Sequence, residues 1–180
     1  MARNCKLAIA KYNKRGVVMK VCDYIAEFVA NIGVDTVFTV SGGGCIFLLD
    51  AFGKRNDIEL IANHHEQASA LAAEGYARMK NKLGVCLVTS GPGGTNAYTG
   101  ALCSYQDSIP TMIISGNVNR SMTTNYTGLD LRQLGDQEFN TTKVAQHFTK
   151  YAVQVNDETK IKYIMERAYY TATHGRPGPV

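Results

Sequence analysis

Apolar residues recur at Val21, Ile25, Phe28, Val29 and Ile32, the spacing of one helical face, and Gly33 stands where such a helix would stop. The pattern then changes period. Residues 34–40 form an apolar run that predicts a buried strand, 41–44 (Ser-Gly-Gly-Gly) a tight turn, and 45–52 an apolar helix ending near Gly53. The unit repeats. A strand over 58–62 leads into a helix from Glu66 to Arg78, a strand over 84–89 leads into a helix from about Gly94 to Gln106, and 111–115 is the next strand. Residues 116–142 are polar and weakly periodic, a pattern that inside a compact domain often marks a functional loop. Beyond them the pattern predicts a strand over 150–155, a helix over 157–173 capped by Asp157, and a turn over 175–179 into a last strand. Alternating strands and helices predict an α/β fold: a doubly wound parallel sheet with helices on both faces.

Composition adds bounds to this picture. The 180 residues, 45% hydrophobic, suffice for one domain with one sizeable core. Residues 1–18 lack clear periodicity and Met19 would be a natural start, so 1–18 are expected to be a flexible extension and 19–180 the domain. The net charge of +4 is mild, and Lys and Arg are dispersed except at Lys11, Lys14 and Arg15, which read as a solvated tail. No nucleic-acid partner is expected. Cys5, Cys22, Cys45, Cys86 and Cys103 are odd in number and lack C-x-x-C spacing, which favours reduced thiols and a cytoplasmic protein. No apolar run approaches the ~18 residues that a membrane span needs, so a soluble protein without a membrane partner is expected.

The candidate chemistry centres on residues 64–78, where Glu66 falls between the end of a strand and the start of a helix. In open α/β sheets that edge binds ligands. Taken alone, Glu66 reads better as an acid favoured in a first helical turn by the helix dipole, and its context is what points to chemistry. Ala68, Ala72 and Gly75 form a small-residue stripe suited to close packing. His64 and His65 are adjacent rather than three or four apart, so they are not expected to share a metal ion, and no metal ligands are assigned. Asp107, Asp130 and Asp136 lie in loops without a Ser-His-Asp arrangement. Residues 89–96 (Thr-Ser-Gly-Pro-Gly-Gly-Thr-Asn) follow a strand and open a helix, so their N–H groups could face an anion. The segment is not a P-loop, and Asn96 occupies the position of the third glycine of G-x-G-x-x-G.

Three segments in order carry a more specific signal: His65-Glu66-Gln67 leading to Ala73-Glu74-Gly75-Tyr76-Ala77-Arg78, then 89–96, then 174–180 (His-Gly-Arg-Pro-Gly-Pro-Val). From Met19 onward the chain resembles the N-terminal pyrimidine-binding domain of thiamine-diphosphate enzymes of the acetolactate synthase and pyruvate oxidase group. The resemblance implies that Glu66 hydrogen-bonds the N1′ nitrogen of the cofactor's aminopyrimidine and so promotes loss of the thiazolium C2 proton. It implies that Pro92 and Asn96 line the pyrimidine pocket, that Gly42 and Gly43 approach the substrate, a small 2-oxo acid, or the partner subunit's cofactor, and that Gln137 faces the substrate. It further implies a homodimer, and Mg²⁺ and diphosphate held by a domain that lies in the same longer chain or in a partner subunit. Gly135-Asp136-Gln137 is the nearest string to that domain's Gly-Asp-Gly motif, and FAD is left open.

Two departures bear on the substrate: Ser41 and Asp136 stand where acetolactate synthases carry proline and phenylalanine. They leave room for another 2-oxo acid or acceptor. The alternatives are a non-catalytic regulatory module of the same fold, against which an intact Glu66 argues, and a generic nucleotide-binding domain, against which the missing third glycine argues.

Overall fold

The structure is a computed structural model that describes residues 9–10 and 19–180. The reading of 1–18 as an extension lies outside the described residues, except that Ile9–Ala10 (β1) pairs antiparallel with Met19–Lys20 (β2). Helix α1 (Val21–Asn31) follows and ends at Gly33, whose φ of +86° lies in the left-handed region that glycine enters without strain.

Four parallel strands form the sheet: β3 (Thr36–Thr39), β4 (Glu59–Ala62), β5 (Gly84–Val88) and β6 (Thr111–Ser115), in the order β4-β3-β5-β6. Every residue of β5 is buried, as expected for a strand covered on both faces. Period-two alternation splits the core. Val37, Val85, Leu87, Met112 and Ile114 face α1, α2 (Ile46–Gly53) and α8 (Ile161–Thr173). Phe38, Cys86, Val88 and Ile113 face the other way, toward Ala70 and Ala73 of α3 (Glu66–Lys80) and Ala97. The doubly wound arrangement follows directly.

Three expectations are corrected. The helix over 94–106 is divided at Ala97 into α4 (Pro92–Asn96) and α5 (Tyr98–Asp107). Residues 150–155 form no strand, because no neighbouring backbone completes a ladder with them among the described residues. The stripe of Ala68, Ala72 and Gly75 is not the packed face of α3: Ala68 is exposed and a Cβ on Gly75 would meet nothing within 4 Å. Close packing occurs one face round, where Gly100 of α5 lies against Ala70 and Gly84 lies against the Ala73 carbonyl. Arg78, paired with Glu74 on its own helix, joins α3 to α5 through its ion pair with Asp107.

The polar segment 116–142 contains a short 3₁₀ turn at Arg120–Met122, helix α6 (Thr124–Thr127) and the start of α7 (Thr141–Ala145). Glu138 holds it together, accepting hydrogen bonds from the N–H groups of Thr124 (2.6 Å) and Leu134 (3.2 Å) and from the Thr124 hydroxyl (3.0 Å).

Candidate active site

The C-terminal ends of β3, β4, β5 and β6 gather the candidate residues on one edge of the sheet. β4 delivers the chain to His65, whose ring Nδ1 accepts the Gln67 N–H at 3.1 Å and so caps α3. Among the described residues, no group of three or more His, Cys, Asp or Glu side chains is placed to hold a metal ion. Glu66 is then the first helical residue and is 8% exposed.

β5 ends in the turn at Thr89, Ser90 and Gly91, from which α4 starts with Pro92 in its first position. α4 spans five residues, so its dipole is small. The Asn96 side-chain amide donates to Glu66 Oε2 at 2.9 Å. Glu66 Oε1 accepts no hydrogen bond from the described residues. A Cβ on Gly93 would sit 3.2 Å from Oε1 and 2.6 Å from Thr89 Cγ2, so the glycine keeps the carboxylate's second oxygen clear. Cys86 lies on the buried side of Glu66. Burial, with the nearby Glu66 charge adding, pushes its thiol up to about 12, and Cys45 is raised by the same causes, so both thiols stay neutral at pH near 7.

Thr89 is the residue that sequence reasoning quoted but gave no role. Its hydroxyl accepts the Gly44 N–H at 3.1 Å, and a Cβ on Gly42 would lie 2.5 Å from the Thr89 Cβ. The 41–44 turn therefore rests on the 89–94 turn, with Gly42 required by contact rather than by its extended φ of −173°. Gly43 faces open space, so nothing within this chain requires its smallness. Gly116, the first residue of the polar segment, packs against the Gly44 carbonyl, where a Cβ would come within 2.2 Å. Ser115 donates its hydroxyl proton to the Thr89 carbonyl at 3.1 Å. No local pattern marks Thr89, because its contacts come from residues 42–44 and 93.

Gln137 is brought to the same place. Its φ is +53°, and its carbonyl would lie 1.9 Å from a Cβ on Gly91, whose own φ of +55° and ψ of −116° are open to glycine alone. Pro92, Asn96 and Gln137 are exposed around the mouth, as are Ser41 and Asp136. Glu66 thus opens α3, Pro92 and Asn96 lie at the two ends of α4, and Gly42, Gly43 and Gln137 lie on connecting segments, all beyond the C-terminal edge of the sheet.

The site is an edge of an α/β sheet that presents a buried carboxylate at a helix start, with Oε2 held by the Asn96 amide and Oε1 accepting no hydrogen bond from the described residues. Comparison with known proteins makes the class specific: residues 19–144 match the family described as "Thiamine pyrophosphate enzyme, N-terminal TPP binding domain", and the chain belongs to that family. It is 37% identical over 156 residues to the acetolactate synthase large subunit of Lactococcus lactis, covering 87% of this chain and 26% of that protein. It is 38% identical over 164 residues to the chloroplastic acetolactate synthase of Arabidopsis thaliana (89% and 23%), and 39% over 158 residues to the large subunit of Haemophilus influenzae (88% and 26%). The chain spans about a quarter of the length of these relatives. No helix among the described residues is long and apolar enough to cross a membrane.

Proposed function

We propose that this chain forms the pyrimidine-holding half of a thiamine-diphosphate enzyme that acts on a 2-oxo acid, condensing an activated acyl unit with an acceptor in the manner of acetolactate synthases. The observation that carries this reading is the Glu66 carboxylate, fixed through Oε2 by Asn96 and open at Oε1 beside Gly93. The residues fit an aminopyrimidine: a flat ring can approach Oε1 only because residue 93 has no side chain. When bound, thiamine diphosphate supplies a carbon acid and an electron sink for cleavage beside the carbonyl.

The chain's own contribution is to place and share one proton. Glu66 Oε1 holds a proton between itself and the ring nitrogen, and low exposure strengthens that hydrogen bond. Asn96 orients the carboxylate, and Pro92 forms part of the wall beside it. Gly42, Gly43 and Gln137 face the substrate, with Thr89 and Gly91 keeping their turns in register. Mg²⁺ and the diphosphate are held by a further domain or partner subunit, and two copies pair as a homodimer. The free thiols of Cys22, Cys45, Cys86 and Cys103 support a reducing, cytoplasmic setting. FAD has no assigned residue in this chain.

The test is domain exchange. Residues 19–180 replace the matching segment of the Lactococcus lactis large subunit, and acetolactate formation from pyruvate is measured with thiamine diphosphate and Mg²⁺ present. Activity that falls by roughly 10²–10⁴-fold in Glu66→Gln, with cofactor binding retained, supports the reading. A Glu66→Gln chimera as active as its parent overturns it.

A further inference from the structure

Thr89 follows β5, an inner strand of the sheet, and its backbone is tied to the neighbouring β6: the Ser115 hydroxyl donates to the Thr89 carbonyl at 3.1 Å, and the Gly116 N–H donates to the Val88 carbonyl at 2.8 Å. From this anchored position the two γ atoms of the side chain reach two different turns. Oγ1 accepts the Gly44 N–H at 3.1 Å. Cγ2 lies 2.6 Å from the point where a Cβ on Gly93 would stand, and that same point is 3.2 Å from Glu66 Oε1. The methyl and the open carboxylate oxygen therefore border one small space. Gly42 crosses the middle of the side chain, since its Cβ would lie 2.5 Å from Thr89 Cβ, 2.6 Å from Oγ1 and 2.7 Å from Cγ2.

A threonine side chain turns on a single torsion, and branching at Cβ leaves that torsion few allowed settings. Oγ1 and Cγ2 therefore move together. A rotation that took the hydroxyl away from Gly44 would also carry the methyl away from Gly93. Of the β-branched side chains, only threonine offers an acceptor as well as a methyl: valine lacks the acceptor, and unbranched serine lacks the methyl. Cys45 adds a tie on the side of the first turn, its thiol donating to the Gly42 carbonyl at 3.3 Å.

We infer that Thr89 is a positioning residue with two separable ends, which sets the spacing between the 41–44 turn and the open oxygen of Glu66. Its hydroxyl fixes the turn that carries Gly42 and Gly43, and its methyl fixes the Gly93 backbone beside Oε1. The inference rests on the reading of those glycines as substrate-facing and of Glu66 as the holder of the shared proton. The two ends then act on different quantities. Loss of the hydroxyl loosens the substrate turn and weakens substrate binding, whereas loss of the methyl lets the backbone beside Oε1 shift and slows the chemistry. A misplacement of about 1 Å at a reacting centre can cost roughly 10²-fold in rate.

Three substitutions test the two ends. Thr89→Val keeps the shape and the stiff torsion but removes the acceptor, Thr89→Ser keeps the acceptor but removes the methyl, and Gly93→Ala drives a Cβ against that methyl. In the domain-exchange chimera, Thr89→Val is expected to raise KM for pyruvate roughly tenfold with kcat changed by less than about threefold. Thr89→Ser is expected to lower kcat roughly tenfold or more with KM near the parent's. Two readouts on the 180-residue chain need no activity. Amide exchange at Gly44 should quicken roughly tenfold in Thr89→Val and stay slow in Thr89→Ser. The fall in thermal midpoint caused by Gly93→Ala should shrink by about half or more when residue 89 is serine. Variants that move KM and kcat alike, Gly44 exchange unchanged in Thr89→Val, or a Gly93→Ala penalty that is the same with serine as with threonine each overturn the inference. An active chimera indifferent to Glu66→Gln overturns the functional reading and this role with it. A Glu66-dependent chimera whose KM and kcat are unchanged in both Thr89 variants overturns this role alone.

Discussion

Asn96 and Glu66, thirty residues apart in the chain, are joined by a 2.9 Å hydrogen bond from the Asn96 amide to Glu66 Oε2. The bond leaves Oε1 as the one carboxylate oxygen free for a ligand, so its removal changes both the stability of the site and the direction in which the carboxylate points. In Asn96→Ala, a buried charged acceptor loses its partner, and denaturant unfolding should show a loss of about 1–3 kcal/mol. In Asn96→Asp, a second carboxyl takes the amide's place, and two acids at this separation cannot both ionise freely. The like charges should therefore lower the denaturant midpoint of Asn96→Asp at pH 7 below that of the parent. An Asn96→Asp chain as stable as its parent at pH 7 would refute the contact.

Gly91→Ala probes the fit between the 89–94 turn and the polar segment. The new Cβ would lie 1.9 Å from the Gln137 carbonyl, and the backbone at φ +55°, ψ −116° is itself closed to alanine. Backbone strain alone costs about 1–3 kcal/mol, and the collision adds to it. The expected outcome is a lower unfolding midpoint together with increased protease sensitivity in 124–138. An Ala variant with the parent's stability would show that this turn is not held as described.

Much of this architecture was legible from period and punctuation. Val37, Val85 and Leu87 on one face, and Phe38, Cys86 and Val88 on the other, are a two-residue alternation that any strand must show. Gly33 ended α1 where the helical spacing stopped. Glu66, Asn96 and Gly93 lay within recognisable strings, and the fold brought them together. What was not legible depends on contacts between distant segments. The break at Ala97 follows from α4 and α5 packing separately, and the support that Thr89 gives to Gly42 and Gly44 joins residues 45 or more positions apart. Within this chain the small-residue stripe is not the contact: α3 carries alanine all round, and the position of Gly100 decides that Ala70 is the residue it packs against.

Tyr76 tests the far end of the Glu66 helix. Its hydroxyl donates to Asp35 Oδ1 at 2.9 Å, and this bond, aided by the Thr36 hydroxyl, holds the Asp35 carboxyl below its ordinary value. Tyr76→Phe keeps the ring against Phe38 and removes this bond together with the one the hydroxyl accepts from the Asp35 N–H at 3.4 Å, for an expected loss of about 0.5–1.5 kcal/mol at neutral pH. A depressed carboxyl contributes stability above its unfolded pKa and loses it as pH falls through the folded value, so the variant's deficit should shrink toward acid. An Asp35 titration that does not move upward in Tyr76→Phe would contradict this coupling.

Glu138 makes a different prediction, about the segment that carries Gln137. Burial by itself would raise its carboxyl, but the hydrogen bonds from Thr124 and Leu134 outweigh burial and hold it below the ordinary glutamate value. The sign is therefore fixed: the clamp is fully engaged at neutral pH and releases as pH falls through the lowered pKa. Amide exchange at Thr124 and Leu134 should be slow at about pH 7 and, after correction for intrinsic rates, should lose protection toward about pH 3. Glu138→Gln keeps the length of the side chain and one acceptor oxygen, so it should show intermediate protection that no longer varies with pH. Since the Gln137 carbonyl is held against Gly91 by this same stretch, loosening Glu138 should also raise proteolysis within 124–138 while leaving β5 protected. Protection of Thr124 that persists at acid pH in the parent chain would mean that other contacts, not the Glu138 carboxylate, fix the segment over the site.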